Sequence, residues 1–136
     1  MEAIRFGTNS EYVAITVPRA IVLDGYGQIG VEISVDGFKG AVAAFVEKDD
    51  LNGFLRQLQK VQATLLGTAE LKPRDEQFVL KLAPDRLGHI CVEGIAWSHP
   101  THGNRLSFEL EIDQTFLAEP IRQLRAALAQ EGGHDA

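Results

Sequence analysis

From Ile29 to Asp36 the chain alternates. Ile29, Val31, Ile33 and Val35 are apolar and β-branched, while Gly30, Glu32, Ser34 and Asp36 are small, polar or acidic. A period of two predicts a strand with one buried face. Residues 12–17 form an earlier β-branched run that stops at Pro18, and Asp36-Gly37 predicts a hairpin turn leading into a third strand over residues 38–45. The alanines and Gly40 in that third strand leave its phase open.

The period then changes. Leu51, Phe54, Leu55, Leu58, Val61 and Leu65 recur at helical spacing, with Arg56, Gln59, Lys60 and Gln62 mainly on the opposite side. Asp49 or Asp50 is suited to cap this helix and complement its dipole, and Gly67 to end it. Strands are expected again near residues 68–72, 78–82, 89–98 and 105–112. In the last, Leu106, Phe108, Leu110 and Ile112 share one face, and Ser107, Glu109 and Glu111 the other, so one sheet face is wet. Leu117, Ile121, Leu124 and Leu128 predict a final helix to about residue 129. Pro120 suits its first position, making residues 115–119 a separate turn.

This order lacks the strand–helix alternation of a parallel doubly wound sheet. It predicts a two-layer α+β domain over residues 1–129: a mostly antiparallel sheet of about six to seven strands, with two helices packed on one face. That face carries Ile29, Val31, Ile33, Leu106, Phe108 and Leu110. Residues 130–136 read as a frayed tail. Strand order and oligomeric state stay open.

Composition narrows the partners. Of 136 residues, 13 are Lys or Arg and 19 Asp or Glu, a net charge of -6 with histidine neutral. Such a balance disfavours nucleic acid and anionic membrane surfaces, whose binding relies on basic side chains. It permits a basic protein partner. Cys91 is the single cysteine, no apolar run approaches the ~20 residues of a membrane span, and no basic leader with an apolar core opens the chain. A cytoplasmic protein is expected.

Candidate chemistry is sparse. Gly25-Tyr26-Gly27-Gln28-Ile29-Gly30 matches G-x-G-x-x-G, but a dinucleotide loop must open a helix, and here strand alternation follows. Asp24-Gly25 and Gly27 instead suit a tight connection between two strands. His99 and His102, with Cys91 upstream, fall short of a structural zinc set, and no metal or cofactor is expected. His89, Cys91 and Glu93 share a strand face and could imitate a Cys-His-acid constellation. Ile90 and Val92 would face the core until Gly94, where a bulge would turn Ile95 and Trp97 inward. No pocket or oxyanion site for the outer row is evident, and Walker, H-E-x-x-H and G-x-S-x-G signatures are absent.

A longer series of motifs points elsewhere. Gly37-Phe38-Lys39-Gly40, Leu66-Gly67-Thr68-Ala69, Leu80-Lys81-Leu82, Leu87-Gly88-His89 with Val92 and Gly94, and Gly103-Asn104-Arg105-Leu106 through Phe108-Glu109-Leu110-Glu111 to Asp113-Gln114-Thr115 resemble the WapI-type immunity protein family of bacteria. The resemblance runs from about Gly37 to Leu124. It implies a small, non-enzymatic cytoplasmic protein that binds and blocks a toxin domain delivered by a competing cell, and it carries over no catalytic residues. Partner-specific contacts are then expected in loops and on the wet acidic sheet face, with Asp24, Tyr26, Trp97, His99 and His102 at one end. The alternative is a small-molecule-binding domain or cryptic enzyme using His89, Cys91 and Glu93.

Overall fold

The alternating segments pair into two ladders. β1 (Ile4–Gly7), β2 (Tyr12–Thr16), β3 (Tyr26–Val35) and β4 (Phe38–Glu47) form one antiparallel sheet in chain order. β5 (Ala69–Leu71), β6 (Phe78–Pro84), β7 (His89–His99) and β8 (His102–Asp113) form a second. The structure is a computed structural model that describes residues 2–129, so the tail expected at 130–136 lies outside the described residues. Among the described residues three helices complete it: α1 (Arg19–Asp24), α2 (Lys48–Thr64) and α3 (Ala118–Leu128), the last preceded by a 3-10 turn at Gln114–Leu117. The class is α+β and mostly antiparallel sheet. The eight strands among the described residues divide four and four, and the apolar run Ala20-Ile21-Val22-Leu23 forms the third, short helix.

Inward positions of both sheets meet in one apolar cluster. Ile29, Val31 and Ile33 join Leu80, Val92, Phe108 and Leu110, with Leu51, Phe54, Leu58 and Val61 of α2 and Ile121 and Leu124 of α3. Each of the four α2 side chains is at most 1% exposed, and burial of that kind stabilises by about 1.5–3 kcal/mol per side chain. α2 packs on β5 and α3, and α3 on β1. The Gln123 side chain accepts the Arg5 amide at 3.1 Å, which satisfies a donor on the edge strand β1.

Helix ends depart from expectation in instructive ways. Asp50 acts from the third position of α2, accepting the Glu47 amide at 2.9 Å, while Glu47 is the cap residue. α2 stops at Thr64, with Leu65 in the left-handed region at φ 56, rather than running to Gly67. Pro120 is the third residue of α3, where its missing amide would have had no intrahelical partner anyway. The separate turn before it is the 3-10 segment.

The glycines of GYGQIG do not make a strand-to-strand turn. Gly25 ends α1, and Gly27 and Gly30 lie within β3. A Cβ on Gly27 would sit 2.9 Å from Ile21 Cγ1, so the missing side chain lets α1 lie against β3. No helix follows the third glycine, which removes the phosphate-cradle geometry.

Gly94 also differs. It is no bulge: it pairs in register with Phe108, and the irregularity in β7–β8 falls between Trp97 and His99. Ile90, Val92, Gly94 and Ala96 all face inward, leaving Ile95 and Trp97 on the outer face, half-buried. The glycine is a close approach, because a Cβ there would meet Phe108 Cζ at 2.5 Å and the Val79 carbonyl oxygen at 2.8 Å. Gly94→Ala is therefore expected to destabilise the fold by about 1–3 kcal/mol through overpacking, with Phe108→Leu in the same chain recovering part of the loss. Denaturant midpoints of the natural chain and the two variants check this; an unchanged midpoint for Gly94→Ala would contradict it.

Candidate functional site

The expected partner-binding residues fall into two groups. Asp24 ends α1 and Tyr26 opens β3, opposite Glu47, with its ring 5.7 Å from Phe45 and 55% exposed. Trp97, His99 and His102 lie around the β7–β8 hairpin. That hairpin meets the first sheet near Ile33, which shares a small cleft with Ser98 and Arg105. Seven steps along β3 lead from Tyr26 to Ile33, a span of about 23 Å. Tyr26 and Trp97 thus lie on different patches.

At the hairpin the two imidazoles stack, with centroids 4.9 Å apart and planes 20° from parallel. Nδ1 of His102 donates to the Pro100 carbonyl at 3.1 Å, and Nδ1 of His99 lies 3.2 Å from Ser98 Oγ. Stacked rings engaged in this way present faces to each other rather than converging lone pairs. Cys91 is remote from them, standing opposite Glu111 while Trp97 stands opposite Arg105. The Arg105 guanidinium lies 5.6 Å from the Trp97 ring centroid.

Cys91 keeps other company. Its thiol donates to Glu109 Oε2 at 3.7 Å, and the donor atoms of Cys91, Glu93 and Glu109 all lie within 4.8 Å of one another. Burial pushes the thiol pKa up, and the charges of Glu109 and Glu93 push it the same way. A protonated thiol is a poor nucleophile and a poor metal ligand. Among the described residues His89 makes no hydrogen bond to this thiol; its Nδ1 lies 3.2 Å from Asp85 Oδ2 instead. The Asp85 carboxylate is held below its usual pKa, chiefly by the Leu87 amide. The row expected to imitate a catalytic constellation shares a face but lacks activation.

That face is nevertheless concave. Glu70, Lys81, Glu93 and Glu109 stand in one cross-strand row over β5 to β8, and they line a cleft of about 550 Å³ together with Val79 and Ile95. Sequence reasoning found no pocket here because the row exists only once four strands are in register. The alternation of Leu80-Lys81-Leu82 and of Ser107, Glu109 and Glu111 was the available signal.

Comparison with known proteins decides the family. The model of the immunity protein WapI-like family matches residues 7–132. The chain belongs to the WapI-like immunity protein family. The match extends well beyond the stretch from Gly37 to Leu124 that carries the motif series, taking in β2, α1 and β3. No curated protein matches the chain. The fold is similar to that in a crystal structure of Trypanosoma bruciei MRP1/MRP2, at 12% sequence identity and a TM-score of 0.56, covering 93% of this chain and 78% of that one. At that identity the likeness is one of fold alone.

Membership of the WapI-like family points to a non-enzymatic, toxin-neutralising role and to a protein toxin as partner. The family-like Asp113-Gln114-Thr115 step is structural. Asp113 Oδ1 accepts from both the amide and the hydroxyl of Thr115, which lowers its pKa. The Gln114 amide donates to the Gly88 carbonyl at 2.8 Å, and its side chain donates to the Gln62 carbonyl in the last turn of α2. One residue thereby ties β8, the β6–β7 turn and α2 together. Among the described residues no helix is long and apolar enough to cross a membrane.

The Cys91 environment gives a direct check. Because its pKa is raised, the thiolate fraction at pH 8 is below that of a free cysteine, and iodoacetamide should alkylate it more slowly than a cysteine peptide. Glu109→Gln removes one of the charges opposing ionisation and should speed the reaction partway, burial being the larger cause. Alkylation at the peptide's rate would contradict this reading.

Proposed function

We propose that this chain is a cytoplasmic immunity protein that binds a cognate toxin domain and blocks it by occupancy, without catalysis. The family match over residues 7–132 carries the reading. Support also comes from the suppressed thiol of Cys91 and from the half-buried, outward-facing Trp97 and the exposed imidazoles of His99 and His102 at the β7–β8 tip.

The contact surface in this reading is the β7–β8 tip with Trp97, His99 and His102, continuous with the acidic outer face of the second sheet. Trp97 faces outward in the row beside Ile95 and Ser107, so tip and face form one surface. Asp24 and Tyr26 belong to a second, separate contact on the first sheet. No nucleic acid, membrane or cofactor enters this reading.

The test is co-expression of this chain with the toxin domain encoded in the adjacent reading frame, followed by pulldown of the pair. Growth rescue and a co-purifying complex are expected, with Cys91→Ser as active as the natural chain. Trp97→Ala should weaken binding roughly tenfold or more, as a buried interface tryptophan does. Absence of any complex, or loss of protection with Cys91→Ser in a folded protein, would overturn the reading.

A further inference from the structure

The two sheets present very different outer faces. On the first, Arg5 and Lys39 balance Glu32 and Glu47, and the floor is small: Ala14, Gly30, Ala41 and Ala43 line a shallow groove. On the second, the outward positions carry Glu70, Glu93, Glu109, Glu111 and Asp113 against Lys81 and Arg105. The excess negative charge of the sheets thus lies on one face, and the cleft there is roomier than the groove on the first sheet.

Within it, Glu93 and Glu109 are directly opposed across β7 and β8. Like charges in that position destabilise a sheet, and these carboxylates approach within 4.8 Å. Among the described residues neither enters an ion pair. Lys81 stands opposite Glu93 in the ladder and does not neutralise either carboxylate by direct contact. Below the pair, the half-buried Val79 and Ile95 give the cleft apolar walls.

We infer that the outer face of the second sheet is the docking surface for a basic element of the toxin domain, and that the Glu93–Glu109 pair receives one of its lysine or arginine side chains. The inference rests on the proposed immunity function. The occupant follows from charge complementarity: a long cationic side chain lays its aliphatic stem along Val79 and Ile95 and brings its head between two carboxylates that lack a counter-charge. A cleft of about 550 Å³ has room for such a chain. Arg105 and Trp97 at the tip continue the contact, and Lys81 disfavours a partner with cations spread evenly over the row.

The experiment uses the full chain and the toxin domain of the adjacent reading frame, titrated by calorimetry at low and moderate salt. The natural chain should bind with marked salt sensitivity. Glu93→Gln with Glu109→Gln should lose at least about tenfold in affinity at low salt and most of the salt dependence, while Glu32→Gln on the first sheet should change neither. Thermal unfolding separates this from misfolding, because removing opposed charges should leave the double variant's midpoint equal or higher. Equal affinity of the natural chain and the double variant would overturn the inference and leave the immunity reading standing. No binding by the natural chain would overturn both. Loss of binding in EDTA would make the occupant a metal ion and equally overturn the inference.

Discussion

The contact between Gly94 and the Phe108 ring fixes the phase of the second sheet. With no side chain at Gly94, β7 runs through it without a bulge, and the even-numbered residues stay inside from Ile90 to Ala96. Phe108 fills the space across from it, so β8 keeps the same phase. The odd-numbered residues of β7 from Cys91 to Trp97 and of β8 from Arg105 to Asp113 are consequently turned outward. A one-residue slip would exchange the faces and send Glu93 and Glu109 into the core. The acidic row is a consequence of how tightly one aromatic ring packs over one glycine.

That row is unfavourable to the isolated protein, and the proposed docking of a cation would relieve it. Two carboxylates held side by side repel each other, and the same charges add to burial in raising the pKa of the Cys91 thiol beside them. Water and salt screen much of the repulsion while the face is exposed. A bound cation changes the sign of the interaction, and exclusion of water by the partner strengthens it. The same geometry that suppresses cysteine chemistry therefore suits recognition, which is why enzyme and binder readings separate at this site.

Much of the fold was legible in alternation and spacing. The runs at 29–35 and 106–112, the Asp36-Gly37 hairpin and the stripe from Leu51 to Val61 all lie where their periods place them. What escaped depended on contacts distant in sequence. A glycine in a strand fits a bulge or a close approach equally well, and only the Phe108 ring decides for Gly94. The four-and-four division of the strands is a matter of long-range pairing. Leu65 in a left-handed conformation, with Gly67 available two residues later, has no local signal. At the candidate site, the residue types were visible but their neighbours were not. Tyr26 and Trp97 proved to be on different sheets, and the row joining Glu70, Lys81, Glu93 and Glu109 needed the register of four strands.

The family motifs and the proposed contact surface occupy different parts of the molecule. Asp113, Gln114 and Thr115 hold strand, turn and helix together, which explains their value as marks of the fold. The proposed recognition rests instead on outward side chains that take no part in the core. The most direct test of this division is amide chemical-shift mapping of the labelled chain on addition of the toxin domain. The account predicts that the largest shifts gather along β7 and β8 around Glu93, Trp97 and Glu109. Shifts confined to the first sheet around Ala14 and Gly30, with β7 and β8 unmoved, would contradict it.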